Sequence, residues 1–462
     1  MQHHASGFFG ELAFNARRSR LFASAISLFV AVNALGLLAG CGGEDALSGG
    51  SGGSGPGGSS VSSSNGGGGA GGAGGAGGAG GAGGAGGAGG AGGSTSEAPC
   101  EAIVDELKVD LEGTLKTRAA GEGWPAPAMD SFLFVSTDPA LHLVAGDHDN
   151  WSGTPMNDAD GFRWACLKVA PGSHYKLTNL SQWQADPWAR SYTYDDFGEI
   201  SLVKPAKSHL DRHIGVGDAV MEPRTVRVWV PEAGYDRVLY LHDGQNLFDP
   251  GAFFGGWKLQ ESAPTGILLV GIDNTPARLD EYTHNQDFVL GKLQGGKGDA
   301  YADFVKQTVR PLVQKHYGEK GPVGVMGSSL GGLISFHMAD RHPGDYAFAA
   351  SLSGTMGWGS IGSKNETMLQ RYEKKGHQST YLYLDSGGSG VTCADADMDG
   401  TNDDDAAAED NYCENIQMRD VLLSVGYAFD VDLAHWYEPG APHNEAAWAA
   451  RVFRPLDIFR GL

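Results

Sequence analysis

Short apolar runs separated by turns mark the second half of the chain. Arg237–Leu241 (RVLYL), Val323–Met326 (VGVM) and Tyr381–Leu384 (YLYL) have the length and composition of buried strands. Leu333–Asp340 and Tyr412–Val425 have the patterns of helices, and each follows one of these strands. Strands that alternate with helices in this way predict an α/β fold over residues 221–462.

The preceding region, residues 99–220, has a different pattern. Its apolar runs are short and are bounded by Gly, Asp, Asn or Pro turns, which predicts a small all-β sandwich domain. The predicted strands are Phe132–Val135, Leu141–Val144, Phe162–Val169, Tyr175–Leu180 and Ser201–Val203. Trp151, Trp183 and Trp188 either form a platform for stacking sugars or pack in the core of this domain.

Residues 1–41 have the pattern of an export signal. Three arginines between positions 17 and 20 precede an uncharged, mainly apolar run from Leu21 to Leu38. The run ends in LAGC at Cys41, which resembles the bacterial lipobox, where cleavage leaves a lipid-bearing cysteine. We therefore expect a lipoprotein signal peptide, lipid on Cys41 and a membrane-anchored protein of the bacterial cell envelope, on the outer membrane or the periplasmic face.

Residues 42–98 consist almost entirely of Gly, Ala and Ser. Such a segment buries too little apolar surface to offset the entropy lost on ordering, so we predict a disordered tether. A flexible tether of about 55 residues spans roughly 40 Å on average, enough to hold the folded domains away from a membrane.

The net charge bears on the partners of the protein, and the cysteine count bears on its disulfides. The formal net charge is −22, which argues against nucleic acid as a partner. Four cysteines remain after Cys41, and an even number in an exported chain predicts two disulfides. Sequence proximity pairs Cys393 with Cys413 and leaves Cys100 with Cys166.

The hexapeptide GSSLGG, residues 327–332, supplies a candidate nucleophile. Ser329 has glycine two residues away on each side, and the segment joins a predicted strand to a predicted helix. A strand, a G-x-S-x-G turn and a helix together are typical of the nucleophile elbow of serine hydrolases. Ser328 does not have this spacing.

A candidate base lies late in the chain. His443 is in the turn-like sequence PGAPHN, and an α/β-hydrolase carries its nucleophile, acid and histidine in that chain order. His435 is the alternative, but it lies in a predicted strand. His242 precedes Ser329 in the sequence, which favours a structural role for it.

The acid and the oxyanion donors are expected near the ends of the predicted strands. Asp385 follows YLYL directly, where active-site residues collect in open α/β sheets, and Asp410 is the second candidate. A Ser–His dyad without an acid is a further alternative. For the oxyanion hole we predict the backbone N–H of Leu330 together with that of Gly244 or Gln245.

An acidic loop runs from Cys393 to Cys413. Its D-x-D-x-D-G pattern matches the first half of a calcium-binding loop, with candidate ligands at Asp395, Asp397, Asp399 and Asp403. The twelfth position is Ala406, where a bidentate glutamate is usual. The sequence predicts a structural calcium ion, and the alternative is a solvated acidic loop closed by a disulfide.

Five segments together resemble the putative-esterase family, which groups esterase D, enterochelin esterases, feruloyl esterases and mycolyltransferases. They are LYLHDGQNLFD (239–249), VGIDNTPARLDEYT (270–283), GSSLGG (327–332), YLDSG (383–387) and HNEAAW (443–448). The resemblance implies an α/β-hydrolase fold with Ser329 as nucleophile and His443 as base, and no cofactor for catalysis. Where family members often carry an acid after the YLDSG segment, this chain has Gly390. The upstream domain weakly resembles the immunoglobulin-like domains that precede enterochelin esterases.

The expected function is therefore that of an exported, lipid-anchored serine esterase. Its substrate would be a small-molecule or polysaccharide-linked carboxylic ester, cleaved through an acyl-enzyme. Two alternatives remain: an acyltransferase of the same family, and a non-catalytic glycan-binding or adhesion protein on an α/β-hydrolase scaffold.

Overall fold

The computed structural model describes residues 99–390, 392–403 and 410–462. The predicted signal peptide, the lipid site at Cys41 and the tether therefore lie outside the described residues. In the described ranges, no helix has both the length and the apolar character needed to cross a membrane.

Twenty strands and eleven α-helices make up the described chain. The strands are β1 (Ala126–Ala128), β2 (Ser131–Ser136), β3 (Leu143–Gly146), β4 (Thr154–Pro155), β5 (Asn157–Ala159), β6 (Phe162–Leu167), β7 (His174–Thr178), β8 (Trp183–Gln184), β9 (Ser191–Asp195), β10 (Gly198–Leu202), β11 (His209–Val216), β12 (Arg224–Val230), β13 (Tyr235–His242), β14 (Gly266–Ile272), β15 (Gln286–Val289), β16 (Lys292–Gly295), β17 (Val323–Ser328), β18 (Phe348–Leu352), β19 (Tyr381–Ser386) and β20 (Leu433–Tyr437). The helices are α1 (Cys100–Val109), α2 (Leu111–Ala120), α3 (Leu259–Ser262), α4 (Arg278–Glu281), α5 (Gly298–Phe304), α6 (Arg310–His316), α7 (Leu330–Arg341), α8 (Met368–Lys375), α9 (Tyr412–Ser424), α10 (Glu445–Arg451) and α11 (Phe453–Gly461). Short 3-10 turns cover Gly244–Asn246 and Phe253–Gly255, and a π-helical turn covers Val305–Val309.

The central sheet confirms the predicted α/β-hydrolase fold. Strands β20, β19, β18, β17, β13 and β14 are adjacent in that order and parallel, and β12 and β11 continue the sheet with antiparallel pairing. The parallel strands are buried on both faces, which explains their nearly continuous apolar sequences. In β13, Val238 and Tyr240 face one core, whereas Leu239 and Leu241 face the other.

The upstream region contains a two-sheet sandwich with helices that were not predicted. A small sheet in the order β1-β2-β6-β5 packs through Phe134 and Ala165 against Val144 and Tyr175 of the larger sheet. Its other face is covered by α1 and α2. An all-β assignment for residues 99–220 was therefore wrong at its start. The buried Ile103, Val104 and Leu107 of α1, at positions i, i+1 and i+4, have the spacing of an amphipathic helix.

The boundary predicted at residue 220 also lies inside a continuous sheet. β11 pairs with β12 on one side and with β9 on the other, so the sandwich and the hydrolase share one hydrogen-bonded sheet. The Tyr317 hydroxyl reinforces the junction, because it donates a hydrogen bond of 2.8 Å to Asp211 of β11.

Both predicted disulfides are formed. Cys100–Cys166 links α1 to β6, with 6.0 Å between the Cα atoms. Cys393–Cys413 closes the acidic loop onto the first turn of α9, with a Cα separation of 5.3 Å.

Candidate active site

Ser329 lies in a strained turn between β17 and α7. Its φ and ψ are 55° and −125°, outside the regions that non-glycine residues normally occupy. Its N–H donates to the Leu352 carbonyl oxygen at 2.9 Å, which fixes the turn against β18. A strained serine between a strand and a helix is the geometry of a nucleophile elbow.

Close packing explains why glycines surround this serine. A Cβ on Gly327 would lie 2.7 Å from the backbone of Gly331, and a Cβ on Gly332 would lie 2.3 Å from Ser351 Oγ. Both distances are shorter than carbon contacts allow, and at position 327 the clash is with backbone, so only glycine fits there without a shift of the turn. Ser328 is the last residue of β17 and is buried within the sheet.

His443 pairs with Asp410. The distance from His443 Nδ1 to Asp410 Oδ1 is 2.5 Å, and the Asp410 side chain is almost fully buried. His443 follows β20 and Ser329 follows β17, so both lie at the carboxyl edge of the parallel strands. The His443 ring also packs edge-on against Trp448, with ring centroids 4.9 Å apart. This contact restricts the orientation of the imidazole.

The other oxygen of Asp410 is held by three donors. Asp410 Oδ2 accepts hydrogen bonds from the Gly387 N–H at 2.6 Å, the Ser353 hydroxyl at 2.6 Å and Arg451 Nη2 at 3.2 Å. Burial raises the pKa of Asp410, but the charges of His443 and Arg451 and these hydrogen bonds lower it below its ordinary value. Asp410 is therefore ionised at neutral pH.

The preference for Asp385 as the acid is corrected by this geometry. Asp385 Oδ1 accepts from Arg451 Nε at 3.0 Å, and Asp385 Oδ2 accepts from the Tyr383 hydroxyl at 2.9 Å. Asp385 is the fifth residue of β19 and its side chain is 0% exposed. Burial raises its pKa to about 6 in spite of the Arg451 charge. Its carboxylate therefore supports Arg451, whereas the connection that follows β19 brings Asp410 to the histidine.

The backbone around Asp410 is tied to the loop after β18. Asp410 and Asn411 both have positive φ, at 36° and 55°. The Asn411 amide donates to the Ser353 carbonyl oxygen at 2.9 Å, and the Asn415 amide donates to that of Gly354 at 2.8 Å. These bonds offset the local strain and hold Asp410 where a carboxylate reaches His443.

The predicted oxyanion donors lie on two neighbouring segments. Leu330 is the first residue of α7, and a first-turn N–H has no partner within its own helix. Gly244 and Gln245 begin a 3-10 turn that is separated from β13 by Asp243 alone. A Cβ on Gly331 would lie 3.4 Å from Asp243 Oδ2, so the two segments are in contact.

The two other candidate histidines have different environments. His242 is fully buried, shares a hydrogen bond of 2.9 Å with the Tyr301 hydroxyl, and has its pKa lowered to about 4 by burial. His435 lies within β20, where burial and the charge of Arg419 lower its pKa to about 4. These surroundings are consistent with structural roles.

Three of the four candidate calcium ligands converge. One carboxylate oxygen from each of Asp395, Asp397 and Asp403 lies within 4.8 Å of the others. Asp399 is not in this group, and its Oδ1 accepts a hydrogen bond from the Thr401 N–H at 2.9 Å. Burial and the charges of Asp397 and Asp395 raise the pKa of Asp399 to about 6. Hard oxygen ligands in this arrangement suit Ca²⁺.

The three tryptophans of the sandwich divide between core and surface. Trp188 packs against the core formed by α1, α2 and β2. Trp151 and Trp183 lie together with ring centroids 6.1 Å apart, and Trp183 is 43% exposed.

Comparisons with known proteins confirm the predicted family. The family model described as Putative esterase matches residues 218–454, slightly more than half of the chain. The chain therefore belongs to the putative-esterase family, whose members share this fold. An uncharacterised Bacillus subtilis protein, YbbA, is 28% identical over 130 residues, which is 27% of this chain. The chain spans about half the length of this curated relative, at 52%.

Solved structures resemble the chain at low identity. The enterobactin esterase FES from Shigella flexneri is 16% identical with a TM-score of 0.40, covering 72% of this chain and 93% of its own. An IroE-like serine hydrolase from Shewanella oneidensis is 17% identical with a TM-score of 0.42, covering 54% and 80%. The siderophore hydrolase EstA from Aspergillus nidulans is 17% identical with a TM-score of 0.40, covering 54% and 94%.

Proposed function

We propose that the protein is a serine esterase that hydrolyses a carboxylic ester through an acyl-enzyme. The observation that carries the proposal is the strained Ser329 at the sheet edge that also presents the His443–Asp410 pair. Membership of the putative-esterase family supports the same class of reaction.

In the proposed mechanism, the Ser329 hydroxyl attacks the ester carbonyl carbon while His443 accepts its proton. The developing oxyanion is stabilised by the N–H groups of Leu330 and of Gly244 or Gln245. His443 then gives the proton to the leaving alcohol, and water cleaves the acyl-enzyme with His443 again acting as base. Asp410 holds the imidazole through Nδ1 and stabilises the imidazolium that forms.

The nucleophile is tested with Ser329→Ala and a matched control, Ser328→Ala. A fluorophosphonate probe should label the wild type and Ser328→Ala but not Ser329→Ala. Turnover of aryl acetate, feruloyl and catecholate esters should fall at least about a thousandfold in Ser329→Ala alone. Labelling that persists in Ser329→Ala would refute the assignment. An added alcohol acceptor separates hydrolysis from acyl transfer by product analysis.

We also propose a structural calcium ion held by Asp395, Asp397 and Asp403. The convergence of three carboxylates that repel one another without a cation supports this site. Because a ligand that binds only the folded state stabilises it, a chelator should lower the melting temperature by several degrees. Asp397→Asn should remove that difference. Identical melting curves in calcium and in chelator would leave the solvated acidic loop.

Lipid anchoring at Cys41 and export to the cell envelope remain proposals. The LAGC sequence and two disulfides support them, because disulfides persist in oxidising compartments. Cys41→Ser should move the protein out of the membrane fraction. A mature N-terminus at another residue, without acyl mass, would refute the anchor.

A further inference from the structure

The segment VGIDNTPARLDEYT, residues 270–283, contacts the loop after β13, which carries the second proposed oxyanion donor. Asp243, directly before Gly244, has left-handed backbone angles, with φ 60° and ψ 46°. This conformation sets the direction in which the following N–H groups point. Aspartate tolerates it better than most residues, but it still requires support from the surroundings.

Arg278 provides that support through a bidentate ion pair. Its Nε and Nη2 donate to Asp243 Oδ1 and Oδ2 at 2.7 and 2.8 Å. The guanidinium also lies 5.2 Å from the centroid of the Tyr282 ring, and the Tyr282 hydroxyl accepts from the Asp243 N–H at 3.2 Å. Both the side chain and the backbone of Asp243 are therefore held by α4 and the residue that follows it.

Two further contacts fix the donors themselves. A Cβ on Gly244 would lie 2.6 Å from Asp273 Oδ1, so the loop packs directly on the end of β14. The Gln245 side chain accepts from the Asn274 N–H at 3.1 Å and donates back to the Asn274 amide.

Asp243 also contacts the other half of the oxyanion hole. Its Oδ2 would lie 3.4 Å from a Cβ on Gly331, the residue after Leu330. The carboxylate held by Arg278 therefore faces the first turn of α7, which carries the other proposed donor.

We propose that Arg278 is a positioning residue for the oxyanion hole, acting through Asp243 on Gly244 and Gln245. This inference rests on the proposed esterase function. Because removal of one oxyanion donor costs about 100- to 1,000-fold in kcat, displacement of the donor loop should cost about 100-fold. The loss should appear in kcat and not in KM, because the donors act on the charge of the transition state.

Arg310 offers a matched control. It forms a bidentate pair with Glu319, lies 5.5 Å from the Tyr346 ring centroid, and is 18% exposed, compared with 19% for Arg278. Arg278→Gln and Arg310→Gln should lower the melting temperature similarly, but only Arg278→Gln should lower kcat. Arg278→Lys keeps the charge without the bidentate fork and should show a smaller loss.

The test measures kcat, KM and the affinity of a trifluoromethyl ketone, which forms a tetrahedral oxyanion on the serine. In Arg278→Gln the ketone should bind about 100-fold more weakly, in parallel with kcat/KM. Asp243→Asn should show the same loss, and the double variant should lose little more than either single variant. Normal kcat and ketone affinity in a folded Arg278→Gln protein would overturn the proposal, as would a loss confined to KM.

The Ser329→Ala variant separates this proposal from the proposed function. If Ser329→Ala retains turnover, both proposals fail. If Ser329→Ala is inactive while Arg278→Gln keeps full kcat, only the role of Arg278 is refuted.

Discussion

Replacement of Asp410 or Asp385 by asparagine distinguishes the orienting acid from its support. In Asp410→Asn, the amide oxygen can still accept from Gly387 and Ser353. The amide nitrogen then faces His443 Nδ1 and donates to it. The imidazole is thereby held with its proton on Nε2, and this tautomer cannot accept the proton of Ser329.

The two variants should differ most in kcat. A triad aspartate replaced by asparagine typically loses about 10⁴-fold in kcat, and we expect this for Asp410→Asn. In Asp385→Asn, Asp410 still pairs with Arg451, so kcat should fall less than about tenfold. The free energy of unfolding should change little in Asp385→Asn, because burial already disfavours the charged form of Asp385 in the fold and Arg451 keeps Asp410 as a charged partner.

The assay combines ester turnover with urea unfolding of both variants at neutral pH. Tyr383→Phe is a control, since it removes the hydroxyl that donates to Asp385 and leaves Asp410 unchanged. We expect Tyr383→Phe to change kcat and stability in the same direction as Asp385→Asn, and by less. Near-normal kcat in Asp410→Asn, together with a 10⁴-fold loss in Asp385→Asn, would refute the assignment. Near-normal kcat in both would indicate a Ser329–His443 dyad.

Three further predictions concern pH, the disulfide and the elbow. The pKa of Asp410 in the folded protein is lowered from its ordinary value of 3.8, so the ionised carboxylate stabilises the fold at pH values above 3.8. In urea unfolding, the stability advantage of wild type over Asp410→Asn should therefore shrink as the pH falls below about 4. Cys393→Ser opens a loop of 20 residues and should lower the free energy of unfolding by about 3 kcal/mol. Because Cys413 lies three residues after Asp410, kcat should fall as well, and an unchanged kcat after reduction of the disulfide would contradict this link. Gly327→Ala should destabilise the elbow and lower kcat, and normal kcat would contradict the packing argument.

The core of the fold follows from local sequence patterns. Buried parallel strands have nearly continuous apolar sequences, so β13, β17 and β19 were predicted close to their observed bounds. The helices at residues 100–120 were missed because turn residues dominate the rest of that region and the helical spacing covers only a few apolar positions. The shared sheet was also missed, because pairing of β9 with β11 depends on tertiary contacts that no local pattern encodes.

The site was predictable to different extents. Ser329 and its glycines are a local motif, because the steric limits of the turn involve residues close in sequence. Arg451 was missed, since it appears as an ordinary charged residue near the end of a helix and its partners are 41 and 66 positions away. The available signal was a single arginine inside the otherwise apolar segment AAWAARVF, residues 446–453. The Arg278–Asp243 pair was likewise invisible, although both residues lie in segments that carry the family resemblance.

The charges explain why Arg451 pairs with two aspartates, of which Asp410 also pairs with His443. Asp385 and Asp410 carry two negative charges and Arg451 carries one positive charge, so the buried group keeps one net negative charge. Arg451 compensates Asp385 through Nε, and the remaining negative charge is on Asp410, which faces His443. In the proposed mechanism, His443 takes the proton of Ser329 and becomes positive, and the whole group then becomes neutral. An imidazolium is therefore favoured at the step that requires it, and a carboxylate at Asp385 alone, already bound by Arg451 and Tyr383, does not provide this compensation.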